Sequence, residues 1–115
     1  MPIQWTDAVL NAQAAGTWTP PDTVVAASGD PGADGTANNI AGSSVALSWS
    51  TPGTEGPLGA SQPATVGKAY EAPSIPVGSD TATWLLFKLG STFQGRIQLP
   101  ASQTGTFTPS LALTA

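Results

Sequence analysis

The 115-residue chain contains no cysteine and no histidine. Without thiols there is no disulfide framework and no thiolate zinc site, and the redox compartment stays open. Without imidazole the chain lacks the side chain that most often acts as a general base and the commonest transition-metal ligand. Charge is scarce too, at 9% of residues against about 25% in an average globular protein. The only cations are Lys68, Lys88 and Arg96, against seven acids, for a net charge of −4. Nucleic acid needs a basic footprint for its phosphates, so it is not expected as a partner. No apolar run approaches the roughly 18 residues of a spanning helix, and no basic-then-apolar leader opens the chain, so no membrane is expected either.

What is present is 40% hydrophobic residues, with 13 glycines and 11 prolines. Disordered chains combine low hydrophobicity with high net charge, which this one does not. The length fits one domain with a real core. A surface so poor in charge is weakly protected against association, so the protein is expected to work packed against neighbours.

The chain divides at Ser28–Asn39, which reads Ser-Gly-Asp-Pro-Gly-Ala-Asp-Gly-Thr-Ala-Asn-Asn. Pro31 fixes its own φ and pushes Asp30 out of the α region, and the glycines permit turns. Asp30, Asp34, Asn38 and Asn39 are of the type that closes turns onto nearby backbone. This predicts a long, ordered loop. Before it, residues 1–22 form an N-terminal arm with one short helix at about 6–15. Thr6 is its expected N-cap, Asp7 suits the dipole, Trp5 and Leu10 are spaced for a hydrophobic staple, and Gly16 is a C-terminal stop. So short and Ala-rich a helix must pack on something, either its own sheet or a neighbouring subunit.

Residues 23–115 are expected to form a β-sandwich. Thr23–Ser28 is a short strand, and in Ser43–Ser50 the apolar Val45, Leu47 and Trp49 alternate with small residues. Thr51–Pro63 reads as a Pro-rich loop, Ala64–Ala72 as a weaker strand, and Pro73 and Pro76 as punctuation. Thr81–Leu89, with Trp84-Leu85-Leu86-Phe87 in a row, fits a central strand buried on both faces. Gly90-Ser91 is a tight turn into Thr92–Leu99, Pro100–Gly105 a loop, and Phe107, Leu111 and Leu113 mark a last strand. The fold class expected is therefore mainly β, a single-domain sandwich or small jelly roll with one short N-terminal α-helix.

No catalytic constellation and no cofactor site emerges, so an enzyme is not expected. Asp30 and Asp34 offer oxygen ligands of the kind Ca²⁺ takes, but the spacing is not that of an EF-hand and turn closure explains them better, so no metal site is assigned. Trp49 and Trp84 fall in strand interiors and read as core. Trp5 and Trp18 flank the helix and are divided between core and protein interface. Arg96 is expected either to face solvent or to pair with an acid of another subunit.

The helix, the strand and the run Gly29-Asp30-Pro31-Gly32-Ala33-Asp34-Gly35-Thr36-Ala37-Asn38 together resemble a group of small bacteriophage virion proteins. These are labelled tail-fibre, minor-tail or head-decoration proteins, especially in phages of actinobacteria. The apolar stretch Thr83–Phe87, followed by Gly90 and Phe93, matches their C-terminal third. The sequence departs from them where Gly42–Ala46 is Ser-rich and where Ala27 replaces a common His. The resemblance implies a non-enzymatic β-domain on a virion. Within that class a capsid decoration (cement) protein is expected, bound to the major capsid protein on the capsid surface, with tail proteins as the alternative partners. A homo-oligomer is expected, a trimer being the candidate. Its interface would draw on Trp5, Trp18, Asp30, Pro31, Asp34 and Arg96, and on the Pro-rich loop. Ser44–Pro52 also looks like the Trp-bearing strand of fibronectin type III modules, a weaker match because the later tyrosine strand is missing.

Overall fold

The computed structural model describes residues 3–48, 66–68, 73–109 and 112–114. Its centre is a long hairpin, β5 (Ile75–Leu89) and β6 (Thr92–Phe107), closed by Gly90-Ser91. Strand β2 (Thr23–Ala27) pairs with the other edge of β5 in the register Val24↔Phe87, Val25↔Leu86 and Ala26↔Leu85. With β2 and β6 on either side, Leu85, Leu86 and Phe87 are all fully buried, as a run of consecutive apolar residues requires. Strand β3 (Val45–Ala46) adds beyond β2, and β1 (Gln4–Trp5) pairs with β6 at Arg96 and Gly95. The sheet order is β1-β6-β5-β2-β3, antiparallel throughout. A second, two-stranded sheet joins β4 (Val66–Lys68) to β7 (Ala112–Thr114). The protein is thus mainly β, with one short helix, in the manner of a small β-sandwich.

Strand alternation sorts the core onto two faces. On one face Val24, Ala26, Leu85 and Phe87 pack with Ile40, Leu47, Ile75, Val77 and Ala82. On the other, Val25, Ala27 and Leu86 meet the partly buried Trp84 and Phe93. Each fully buried Leu or Phe contributes about 1.5–3 kcal/mol of transfer free energy.

Helix α1 (Asp7–Ala15) begins and ends where its caps dictate. The Thr6 hydroxyl accepts from Val9 N at 3.3 Å. At the other end, Thr17 N donates to Ala12 O at 2.9 Å past Gly16. The expected staple takes another form. Leu10 is 48% exposed, and the buried helix residue is Val9. Pairing in β1 turns Trp5 towards Phe87 and Trp18, at ring-centroid distances of 6.2 and 5.3 Å.

Two further expectations are corrected. Pro76 does not punctuate the chain but lies inside β5, and the predicted loop Pro100–Gly105 belongs to β6. Successive register pairs jump from Trp84↔Gln98 to Ala82↔Gln103, so Pro100 sits in a bulged stretch with no partner position opposite it. A residue without an N–H is tolerated there because the ladder makes no demand on it. The alternation foreseen after Ser43 is present: Leu47 is buried, Val45 half-buried, and Ser44, Ala46 and Ser48 exposed. Trp49, the loop 51–63, Tyr70 and Leu111 lie outside the described residues.

Ser43 was not foreseen as a core residue, yet it is fully buried. Its hydroxyl accepts from Ala26 N at 3.1 Å and donates to Ile40 O at 2.6 Å, with Ala26 O also within 3.3 Å. It thereby stitches the segment leaving the 28–39 loop to β2, beyond the reach of the two-residue β3.

Candidate functional site

The loop 28–39 is built from its own short polar side chains. Ser28 N donates to Asn38 O at 2.9 Å, and Ala27 bridges to Asn39, which closes the base. Asp30 Oδ1 accepts from Gly32 N at 2.9 Å, while Asn38 Nδ2 donates to Asp30 O at 2.9 Å. Asp34 Oδ1 accepts from Thr36 Oγ1 at 2.9 Å and from Thr36 N at 3.2 Å. The Thr36 hydroxyl bond, then its backbone bond, holds the Asp34 carboxyl below the usual carboxylate value. Asn39 Nδ2 donates to Gly35 O and Ala37 O at 3.0 and 2.9 Å. The carboxylates are thus engaged in closing turns, as their spacing foretold.

The loop is also anchored from beneath. Pro31 is fully buried and Gly35 buried. A Cβ on Gly35 would stand 2.2 Å from Phe93 Cδ1, so the loop backbone lies directly on that ring. Arg96, on β6, holds the loop to the N-terminal strand. Its Nη1 donates to Asp30 Oδ1 at 2.9 Å and its Nε to Gln4 Oε1 at 2.9 Å. The guanidinium carbon lies 6.0 Å from the Trp84 ring centroid. The ion pair considered between subunits therefore forms within one chain. Likewise Pro31, named as an interface residue, braces the loop from inside. What the loop presents outward is Ser28, Asp30, Ala33, Asp34, Thr36, Ala37, Asn38 and Asn39.

Of the six candidate residues, Asp30 and Arg96 meet directly, as do Trp5 and Trp18. Trp5 neighbours Gln4 in β1, so the two pairs share one end of the sheet. Both tryptophans are half-buried. Asp34 stands outward on the loop.

Two grooves flank the helix. One, of about 260 Å³, lies between β1, the start of α1 and the loop, with Arg96 and Phe93 in its wall. The other, of about 230 Å³, runs between α1 and the β5–β6 turn, lined among others by Val9, Ala12, Trp18, Leu89, Phe93 and Gln94. Two residues of this second groove, Trp18 and Gln94, and Gln13 on the helix hold unsatisfied polar atoms. Among the described residues, Gln13 Nε2, Trp18 Nε1 and Gln94 Oε1 are buried without a hydrogen-bond partner in the protein. Sequence reasoning missed Gln4, Ser43 and Gln94, since a single polar residue in an apolar or Ser-rich stretch carries no periodic signal.

No family model, curated protein or solved structure matches the chain.

Proposed function

We propose that the chain is a structural protein of a bacteriophage virion, a capsid decoration protein that stabilises the head by bridging capsid subunits. The observation that carries this reading is the state of the 28–39 loop, the segment on which the resemblance rests. It is tied at its base, braced by Pro31, seated on Phe93 and clamped by Arg96. A loop fixed before binding loses little conformational freedom when a partner covers it, so more of the contact energy remains as affinity. Its outward side chains are short, so few rotamers must be frozen. With only 9% charged residues overall, burying this surface strands few charges. Apolar burial at about 25 cal/mol per Å², repeated around a shell, then opposes internal pressure.

In this reading the partner is the major capsid protein and the subunits self-associate, as a trimer or another closed ring. The test is to mix purified protein with undecorated phage capsids, image them and count bound subunits. Saturable occupancy at symmetry-related positions is expected. Binding to tails or to host-surface material, with bare capsids left empty, would overturn the capsid assignment in favour of a tail component.

A further inference from the structure

The groove between α1 and the β5–β6 turn has a chemistry that its neighbours in the fold do not explain. Its walls are Val9, Ala12, Leu89 and Phe93, with Thr6, Thr17, Thr19 and Thr92 at its margins, and no charged side chain lines it. Two residues that line it hold unsatisfied polar atoms: the Trp18 Nε1–H, a donor, and Gln94 Oε1, an acceptor. Gln94 is only 7% exposed. A buried polar atom left without a partner is destabilising, because it has given up water for nothing. One of the two atoms is a donor and the other an acceptor, and both residues line the same groove.

We propose that this groove receives an uncharged, apolar peptide segment of a partner protein, whose main chain supplies one C=O to Trp18 Nε1–H and one N–H to Gln94 Oε1. An extended peptide is a neutral ligand that carries both functions, because the N–H and C=O of one residue point to the same side. An ionised ligand is disfavoured because the lining offers no counter-charge. The volume, about 230 Å³, falls below the roughly 300–1,000 Å³ that enclose a whole drug-sized ligand, so the groove has room only for a short piece of a chain that continues outside it. Because both orphan atoms are buried, entry requires a small outward movement of α1, whose buried side chain is Val9 alone. The inference takes from the proposed function only that the partner is a protein.

The test uses the full ¹⁵N-labelled chain, titrated with the uncharged peptide acetyl-Ala-Leu-Ala-amide to about 10 mM, since so few contacts give millimolar affinity. The expected result is a saturable shift of the Trp18 indole N–H together with the Ala12 and Phe93 amides. Gln94→Met and Trp18→Phe should each weaken binding about tenfold, with near-UV circular dichroism confirming the fold. Should one variant misfold, the other carries the comparison. An absent shift in the parent chain, or equal binding by the folded variants, overturns the proposal. So does propionamide binding as tightly as the peptide, which would mean a lone amide suffices. So does an indole N–H held by a long-lived water that the peptide leaves in place. No capsid enters this titration, so failure here and failure of capsid binding are separate results.

Discussion

Gly35→Ala is expected to be among the most damaging single-methyl additions the protein can suffer. Two effects combine. Gly35 has φ +73°, where a side chain costs about 1–2 kcal/mol. The new Cβ would also sit 2.2, 2.6 and 2.7 Å from three atoms of the Phe93 ring, and overpacking of that kind costs about 1–3 kcal/mol. The expected loss is therefore about 2–5 kcal/mol, a large share of the stability of a small domain. Gly42 supplies the control, because its φ is +77° but nothing lies within 4 Å of a Cβ there. Gly42→Ala should cost only the backbone part. Urea unfolding of both variants at unchanged m isolates the difference, about 1–3 kcal/mol, as the contact with Phe93. Adding Phe93→Leu to Gly35→Ala should return part of the loss, a coupling readable in a double-mutant cycle. Equal destabilisation by the two alanines would refute the claim that the loop rests on Phe93.

Ser43→Ala should cost about 1–3 kcal/mol in urea unfolding, since it strands Ala26 N–H in the core and leaves Ile40 C=O only the Ser43 backbone N–H. A double-mutant cycle on Asp30→Asn and Arg96→Gln should give a coupling of about 0.2–1 kcal/mol, because the pair is partly exposed, with 53% of the Asp30 and 24% of the Arg96 side chain accessible. That coupling should not vary with protein concentration, and a value appearing only in assembled protein would restore an inter-subunit pair. For Asp34 the native pKa lies below the usual 3.8, so its contribution is present above that value and fades as pH falls through the lower native one. Thr36→Val should move the Asp34 carboxyl titration, followed by NMR, back up towards 3.8, and an unmoved titration would assign the shift elsewhere.

The parts of this structure legible in the sequence are those governed by local rules. Thr6 and Gly16 bound the helix because capping depends on neighbours three or four residues away. Leu85–Phe87 declared a central strand because an unbroken apolar run has to be covered on both faces. The Asp and Asn residues of the loop foretold its turns because their partners lie two to eight residues off. What stayed hidden depends on partners distant in the chain. β1 is two residues long, too short for any period, and exists because β6 offers it an edge. Pro76 and Pro100 read as breaks because their tolerance depends on the hairpin's register, Pro76 sitting opposite Thr106 next to a register shift and Pro100 in the bulged stretch. Arg96 finds Asp30 sixty-six positions away, which only the folded register supplies.

The pairing of Trp5 with Gly95 joins the first strand to one far along the chain. The β5–β6 pairing is the most local in sequence, and β2 reaches β5 across a longer loop. The first strand must wait for the last large one. At about 5–20 residues per second, the N-terminal segment spends several seconds of synthesis with its partner strand still unmade. Contacts of such long range carry the greater loop-closure cost and form slowly. Arg96 joins Gln4, Asp30 and its own strand at one point, so its guanidinium reports the moment at which the chain's two ends have found each other.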